Sequence, residues 1–311
     1  MPNIDRLNGV TATDLTSVNN HNASAITSIN GQDLVTSTLL LDSFGANVLV
    51  AYSFRKLSSS YTGAAIRVRE TGFNTETDIG FDANGNLDTA ALLSHCSYPG
   101  ASGYITKWYD QAGNNRDGVQ TNSARQIQVV SSNALITKNS LPTTQGANND
   151  CVIISGIPLT AQPITSFEVY AHNSASLAGN SQTFGGYSVY PPSGNFITNR
   201  VHRFVKIGVI TNDGTGQSTC LSPNNSNTDL HVITRMINGS SSVLRVDQSA
   251  QTLSNTPQSG AQIGGANQDR IGDINTNSYN GNLSEVIVFA ADKTSEFTGI
   301  ETDVQTYYSI P

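Results

Sequence analysis

Charge is scarce in this chain. Asp, Glu, Lys and Arg make up only 13% of its 311 residues, and 16 basic against 23 acidic residues leave a net charge of −7. With no Lys/Arg cluster to track a phosphate backbone, nucleic acid is excluded as an expected partner. Long apolar runs are missing too. None approaches the roughly 20 residues of a spanning helix, so no membrane insertion is expected. The opening MPNIDRLNGV lacks the charged-then-apolar order of a secretory signal, which points to synthesis and assembly in a cytoplasm. Cysteine is limited to Cys96, Cys151 and Cys220, too few and too scattered for a disulfide framework or a CxxC metal site. Buried free thiols are expected, in keeping with folding under reducing conditions. The His residues show no pair at ligand spacing, no Ser sits in a nucleophile elbow, and GGANQDRIG lacks the Lys and the helix of a phosphate loop. No cofactor and no metal are expected.

What is abundant is Gly, at 27 residues, together with Ser, Thr and Asn, a composition suited to short strands joined by turns. From residue 47 onward ten segments of four to nine residues carry strand patterns: NVLVAYSF, AIRVRE, GYITKWYD, IQVVS, CVIIS, ITSFEVYAH, FVKIGVI, DLHVITRMI, SVLRVDQS and LSEVIVFAA. Alternation such as Ile66, Val68, Glu70 or Val205, Ile207, Val209 predicts antiparallel strands with one wet face. The expected fold is all-β, two antiparallel sheets stacked into a sandwich. Helices are few. Asp88 stands where the N-cap of a short helix over LDTAALLSHC belongs. At the C-terminus, Thr298 and Glu301 read as a capping box, with Ile300, Val304, Tyr307 and Tyr308 on one face.

The first 40 residues differ from this body. In LTSVNNHNASAITSING, Leu15, Val18 and Asn19 recur as Ile26, Ile29 and Asn30, and Ile4, Leu7 and Asn8 precede them, giving three copies with a period of 11 residues. Two aliphatics followed by Asn-Gly or Asn-Asn suit either a tight hairpin or a single helical turn with a left-handed end. Neither buries much. The chain is therefore expected to comprise an arm, residues 1–40, and a β body, residues 41–311.

Three blocks, YSFRKLSSSYTGAAIRVRE, TDIGFDANGNLDTAALLSHC and GYITKWYDQAGNNRDGVQTNSARQIQVV, resemble in order and spacing the opening of the arabinofuranosidase B-type catalytic domain. That resemblance implies a concanavalin A-like jelly-roll sandwich. The same blocks, with the closing YNGNLSEVIVFAADKTSEFTGIETDVQTYYSI, are similar to laminin G-like domains of bacteriophage virion proteins and bacterial surface proteins, and the Asn-Gly repeats of the arm resemble those of phage relatives. The similarity spans about residues 1–135 and 279–310.

Retaining glycoside hydrolysis needs two carboxyl groups about 5–5.5 Å apart. The arabinofuranosidases place the nucleophilic Glu in a segment like Asp-Tyr-Gly-Asn-Ala-Glu after two adjacent cysteines, and nothing in this chain matches. The resemblance thus implies the fold without the catalytic pair, and the chain is not expected to be an enzyme.

Two stretches are candidate ligand sites. In WYDQAGNNRDG, Trp108 and Tyr109 offer rings for stacking, and Asp110, Asn114, Asn115 and Asp117 offer oxygens and amides to a sugar or to calcium; a turn whose Asp and Asn satisfy their own backbone gives the same letters. In GGYSVYPPSGNF, Tyr187 and Tyr190 flank two prolines in an expected exposed loop, suited to a sugar face or to a neighbouring subunit. FDANGNLDTAAL fails the calcium-loop spacing and reads as a turn leading to an N-cap.

The resemblance implies a virion structural protein, a capsid decoration or a tail or fibre component, assembled in the host cytoplasm. Its arm would dock other virion proteins through Ile4, Leu7, Leu15, Val18, Ile26 and Ile29, and its body, as a homo-oligomer, would display a lectin-like sandwich to a host-surface glycan. An arabinofuranosidase-type hydrolase and a bacterial surface lectin are the alternatives.

Overall fold

The computed structural model describes residues 38–147, 149–172, 207–222, 228–263, 269–272 and 281–311, and the backbone of the strand residues at 6–7, 10–11, 17–18, 21–22, 28–29, 32–33, 181–187, 195–202, 206 and 268. The chain divides into two units, Met1–Leu39 and Leu40–Pro311.

The first unit contains three small antiparallel hairpins in one register. Arg6–Leu7 pairs with Val10–Thr11, Ser17–Val18 with His21–Asn22, and Ser28–Ile29 with Gln32–Asp33. The inner pairs, Leu7↔Val10, Val18↔His21 and Ile29↔Gln32, leave Asn8-Gly9, Asn19-Asn20 and Asn30-Gly31 between them. These are the residue pairs that tolerate the positive φ of a two-residue hairpin connection, and the helical turn is ruled out by the strand pairing. Ile4, Leu15 and Ile26 lie outside the described residues.

The second unit is the expected two-sheet sandwich. The smaller sheet has six antiparallel strands, in the order Ser249–Gln251, Val243–Val246, His231–Ile237, Ile164–His172, Gly281–Phe289 and Val48–Ser53. The larger runs from Ala134–Leu135 through Ile127–Ser131, Gly103–Trp108, Gly118–Val119, Cys151–Ile154, Gln268–Gly272, Ser181–Tyr187, Asn195–His202 and Lys206–Asp213 to Gln217–Leu221. Ile66–Glu70 also pairs with Gly103–Trp108 and carries Glu76–Ile79 on its far side. Between the sheets lies one apolar core, to which Val50, Tyr52, Ile233 and Val286 of the smaller sheet and Val68, Ile105, Val129, Val152 and Ile271 of the larger contribute.

The wet face expected of the alternating strands is not general to the sheets. Ile66–Glu70 alternates buried and half-buried positions, but Ile164–His172 and Gly281–Phe289 are buried at every residue. The reason is a second apolar layer. Phe167, Val169, Ile287 and Phe289 turn outward from the smaller sheet and are roofed by the helices Leu40–Phe44 and Phe297–Tyr308 through Leu40, Phe297, Ile300, Val304 and Tyr308. Glu70, at the end of its alternating run, is buried and accepts backbone N–H groups of Gly72, Phe73 and Thr75, closing the turn to the next strand.

Asp88 caps the short helix Thr89–His95 by accepting from the Ala91 N–H at 2.9 Å, as its position predicts. The C-terminal helix departs from expectation. It starts at Phe297, directly after a 3-10 turn over Thr294–Glu296, so Thr298 lies inside the first turn and forms no cap. Glu301 is instead fully buried against Arg245, with Oε2 2.9 Å from Nη2. A second arginine, Arg55, grips Glu285 of the smaller sheet with Nε and Nη2 at 2.8 and 3.0 Å and reaches Asp303 of the helix at 2.6 Å. Such forked, charge-assisted bonds fix the roof on the sheet.

Cys96, Cys151 and Cys220 are buried free thiols. Burial pushes the Cys96 thiol up to about 11 and raises that of Cys220 as well.

Candidate functional site

The WYDQAGNNRDG loop is a clasp between the sheets. Trp108, expected as a stacking platform, has no exposed surface; it stacks on Phe54 at 5.1 Å and packs at 6.1 Å from Tyr52 in the core. Asp110 does not face a ligand either. Its Oδ1 accepts the N–H groups of Ala51 and Ala112 at 2.9 and 3.0 Å, and its Oδ2 that of Arg116 at 3.3 Å. Burial nevertheless pushes this carboxyl upward. Asn114 donates to the Val48 and Leu49 carbonyls, and Arg116 donates to that of Leu49. Asn115 has φ 55°, the left-handed region that Asn tolerates. Asp117 accepts from the Asp110 N–H at 3.0 Å and pairs with Lys107 at 3.3 Å. Tyr109 donates to Asp78 at 2.7 Å. The loop thus sews the edge strand Val48–Ser53 of one sheet to Gly103–Trp108 of the other. The Asp82 turn behaves similarly, with Oδ1 taking the N–H groups of Asn84 and Asn86 at 2.8 and 2.9 Å. In the other candidate stretch, the Tyr187 side chain and all of Tyr190 lie outside the described residues.

A different site emerges from the outward face of the larger sheet. Strand register places Tyr104 opposite Arg69 on one side and opposite Gln128 on the other, and Gln128 bridges to Gln145. Side chains directly opposite across antiparallel strands stand about 5 Å apart, so these four form one continuous row. The row lies in an open groove of about 450 Å³, whose walls include Gln126, Ser123, Thr71 and Asp150. Arg69 lies over the Tyr104 ring, its Cζ 5.3 Å from the centroid. Its Nε donates to Gln126 Oε1 at 2.7 Å and its Nη1 to Asn74 Oδ1 at 3.1 Å. Gln126 is itself buried, and its amide donates to the Gln120 carbonyl at 3.0 Å, so the guanidinium is aimed by a fixed support. A planar ring, a guanidinium and several amides in a shallow trough can meet both the C–H faces and the hydroxyls of a sugar.

Asp150 is the carboxylate of the described groove lining. It is 9% exposed, accepts the Ala147 N–H at 2.8 Å, and is pushed up to about 6 by burial. A carboxyl with a folded-state value above its unfolded one binds its proton more readily when folded, so this contribution to stability falls as pH rises from about 4 to about 6. Asp150→Asn is therefore expected to stabilise the fold at pH 7 by about 1–2 kcal/mol and to change it little below pH 4, as read by urea unfolding at the two pH values.

No family model and no curated protein matches the chain. Solved structures do. A glutamate-to-glutamine variant of a GH54 α-L-arabinofuranosidase soaked with 4-nitrophenyl α-L-arabinofuranoside is similar at a TM-score of 0.62 and 13% identity, over 83% of this chain and 62% of that one. An arabinofuranosidase complexed with arabinofuranosyl-α-1,2-xylobiose follows at a TM-score of 0.60, with the same identity and coverage. The fold is an arabinofuranosidase-like β-sandwich. This chain spans about three fifths of the length of those enzymes.

Sequence reasoning missed the groove because its residues are scattered from 69 to 150 and share no motif. A signal exists all the same. Arg67 and Arg69, Tyr104, and Gln128 occupy the outward positions of three alternating strands, and superposing the strands by their inward aliphatics lines them up.

Proposed function

We propose that this chain is a non-catalytic glycan-binding sandwich displayed, as a homo-oligomer, on a bacteriophage particle and docked to other virion proteins through its first 40 residues. The observation that carries the glycan reading is the in-register row Arg69, Tyr104, Gln128 and Gln145 along an open groove. Among the described residues the groove lining carries one carboxylate, Asp150, whereas hydrolysis of a glycosidic bond by the usual acid mechanisms uses two. The sandwich shared with arabinofuranosidases supports a sugar-facing role and keeps hydrolysis as the second reading.

Support for docking comes from the three hairpins of identical register. Two-stranded hairpins of this size are marginal in water by themselves, and a partner surface would offset the entropy of ordering them. Repeating one weak contact three times multiplies avidity as long as the three can engage together. The particle itself rests on the sequence resemblance to phage virion domains.

The test has three parts. Purified protein is passed over immobilised host-surface glycan, and Tyr104→Ala is expected to lower retention at least tenfold; equal retention removes the groove from the reading. Deleting residues 1–39 is expected to leave a folded body that retains glycan and no longer incorporates into particles, detected by antibody labelling in micrographs of purified virions. Turnover of an aryl arabinofuranoside, abolished by one carboxylate change, would establish the hydrolase instead.

A further inference from the structure

Resting on the glycan reading above, the geometry points to a carboxylated sugar, a uronic-acid-type residue, as the ligand class, read by the guanidinium of Arg69.

The inference starts from a contrast with four arginines that meet carboxylates, Arg116 donating to the Leu49 carbonyl instead. Arg55 is paired with Glu285 and Asp303, Arg67 with Asp78, Arg235 with Glu168, and Arg245 with Glu301. Arg69 is held differently. Its hydrogen-bond partners are two neutral amide oxygens, on Gln126 and Asn74, and a tyrosine ring lies beneath it. Glu76 stands opposite Arg69 in the next strand, but its carboxylate accepts from the Thr106 hydroxyl at 3.1 Å, so the guanidinium is oriented by neutral acceptors and a ring. A guanidinium has five N–H donors, and those two bonds use two of them, leaving the Nη1/Nη2 edge for a ligand. That edge matches a carboxylate in the two-bonded, planar geometry that lysine cannot reproduce.

The support is built and partly dry. Gln126, 3% exposed, passes the constraint to Gln120, whose amide in turn donates to the Cys151 carbonyl at 3.0 Å. A surface arginine with a merely solvated role needs no such backing. The amides of Gln128 and Gln145, next in the row, are placed to take the hydroxyls of the same sugar or of its neighbour.

Among the described residues the titratable groups lining the groove are Arg69, Tyr104 and Asp150, with Glu76 opposite Arg69 in the neighbouring strand. Asp150 opposes an anionic ligand when charged and can donate a hydrogen bond when protonated. Since burial lifts this carboxyl to about 6, binding of the acid is expected to strengthen as pH falls from 7 to 5.

The experiment is calorimetric titration of the full chain with oligogalacturonate and oligoglucuronate, each against its methyl ester, which keeps the hydroxyls and removes the charge. The acids are expected to bind at least tenfold tighter than the esters. Arg69→Gln is expected to bring the acids down to the level of the esters, and Arg69→Lys to restore only part of the difference. Asp150→Asn is expected to abolish the pH dependence. Esters binding as well as acids, or a preference that survives Arg69→Gln, overturns the inference. So does displacement of the acids by inorganic sulfate at matched ionic strength, which marks a general anion site. If neutral oligosaccharides bind in a Tyr104-dependent way without preference for acids, the acid inference fails and the glycan reading stands. If sugars of both kinds fail to bind, both fall.

Discussion

Glu168→Gln is expected to destabilise the body by about 3–5 kcal/mol, measured as a drop in the urea midpoint at constant slope. Glu168 and Arg235 point into the space between the sheets, with Oε2 and Nη1 2.7 Å apart and side chains 0% and 1% exposed. Arg235 also donates through Nε to the Gly208 carbonyl of the larger sheet at 3.0 Å, so the pair joins the two layers. Once the carboxylate is neutralised, a guanidinium 1% exposed loses the negative charge that stands 2.7 Å from it. The reverse experiment separates the value of the pair from the cost of breaking it. Glu168→Leu combined with Arg235→Met is expected to recover most of the loss or to exceed the original stability, because removing both charges removes both desolvation costs. A single change that costs less than about 1 kcal/mol would contradict this account.

Trp108→Ala is the second large effect, with an expected loss of about 3–5 kcal/mol from the cavity left between Phe54 and Tyr52. Glycan retention per folded molecule is expected to be unchanged, since the ring faces the core and the groove lies on the opposite face of the sheet. Trp108→Phe is expected to be far milder. The indole N–H has no hydrogen-bond partner among the described residues, so the smaller ring loses volume and at the same time removes an unsatisfied buried donor. Loss of retention by folded Trp108→Phe protein would return this residue to the binding site.

The strands rich in Val and Ile were legible because burial imposes a period of two on them. All ten segments read from the sequence contain strands, from Val48–Ser53 to Gly281–Phe289. Among those that escaped, the longer ones are mostly polar or glycine-rich: Glu76–Ile79, Ser181–Tyr187, Asn195–His202, Gln217–Leu221 and Gln268–Gly272. Such strands are held mainly by the backbone ladder of a neighbour, which no side-chain pattern announces. The roof was legible in part, since Ile300, Val304, Tyr307 and Tyr308 on one face of the C-terminal helix mark a side that packs on the sandwich, as it does. An unbroken buried run such as ITSFEVYAH signals that both faces are covered, yet it does not say that a C-terminal helix supplies one cover. The clasp of residues 108–117 was legible as a cluster of polar turn residues but not in its direction. Asp110 and Asn114 turn back onto the strand that begins at Val48, and only the juxtaposition of the sheets provides those partners. The groove depends on register alone. One residue of slip between Ile66–Glu70 and Gly103–Trp108 would send Arg69 and Tyr104 to opposite faces.

The state of the sulfur atoms has a practical consequence. All three thiols of the chain are sealed inside, and at least Cys96 and Cys220 are held in their protonated form by burial, so folded molecules offer maleimides and disulfide-forming reagents nothing to attack. A single cysteine introduced at an exposed position would then carry a fluorophore or a gold cluster without background labelling. The intact chain can be tracked in whatever assembly it joins, and no native residue has to be removed first.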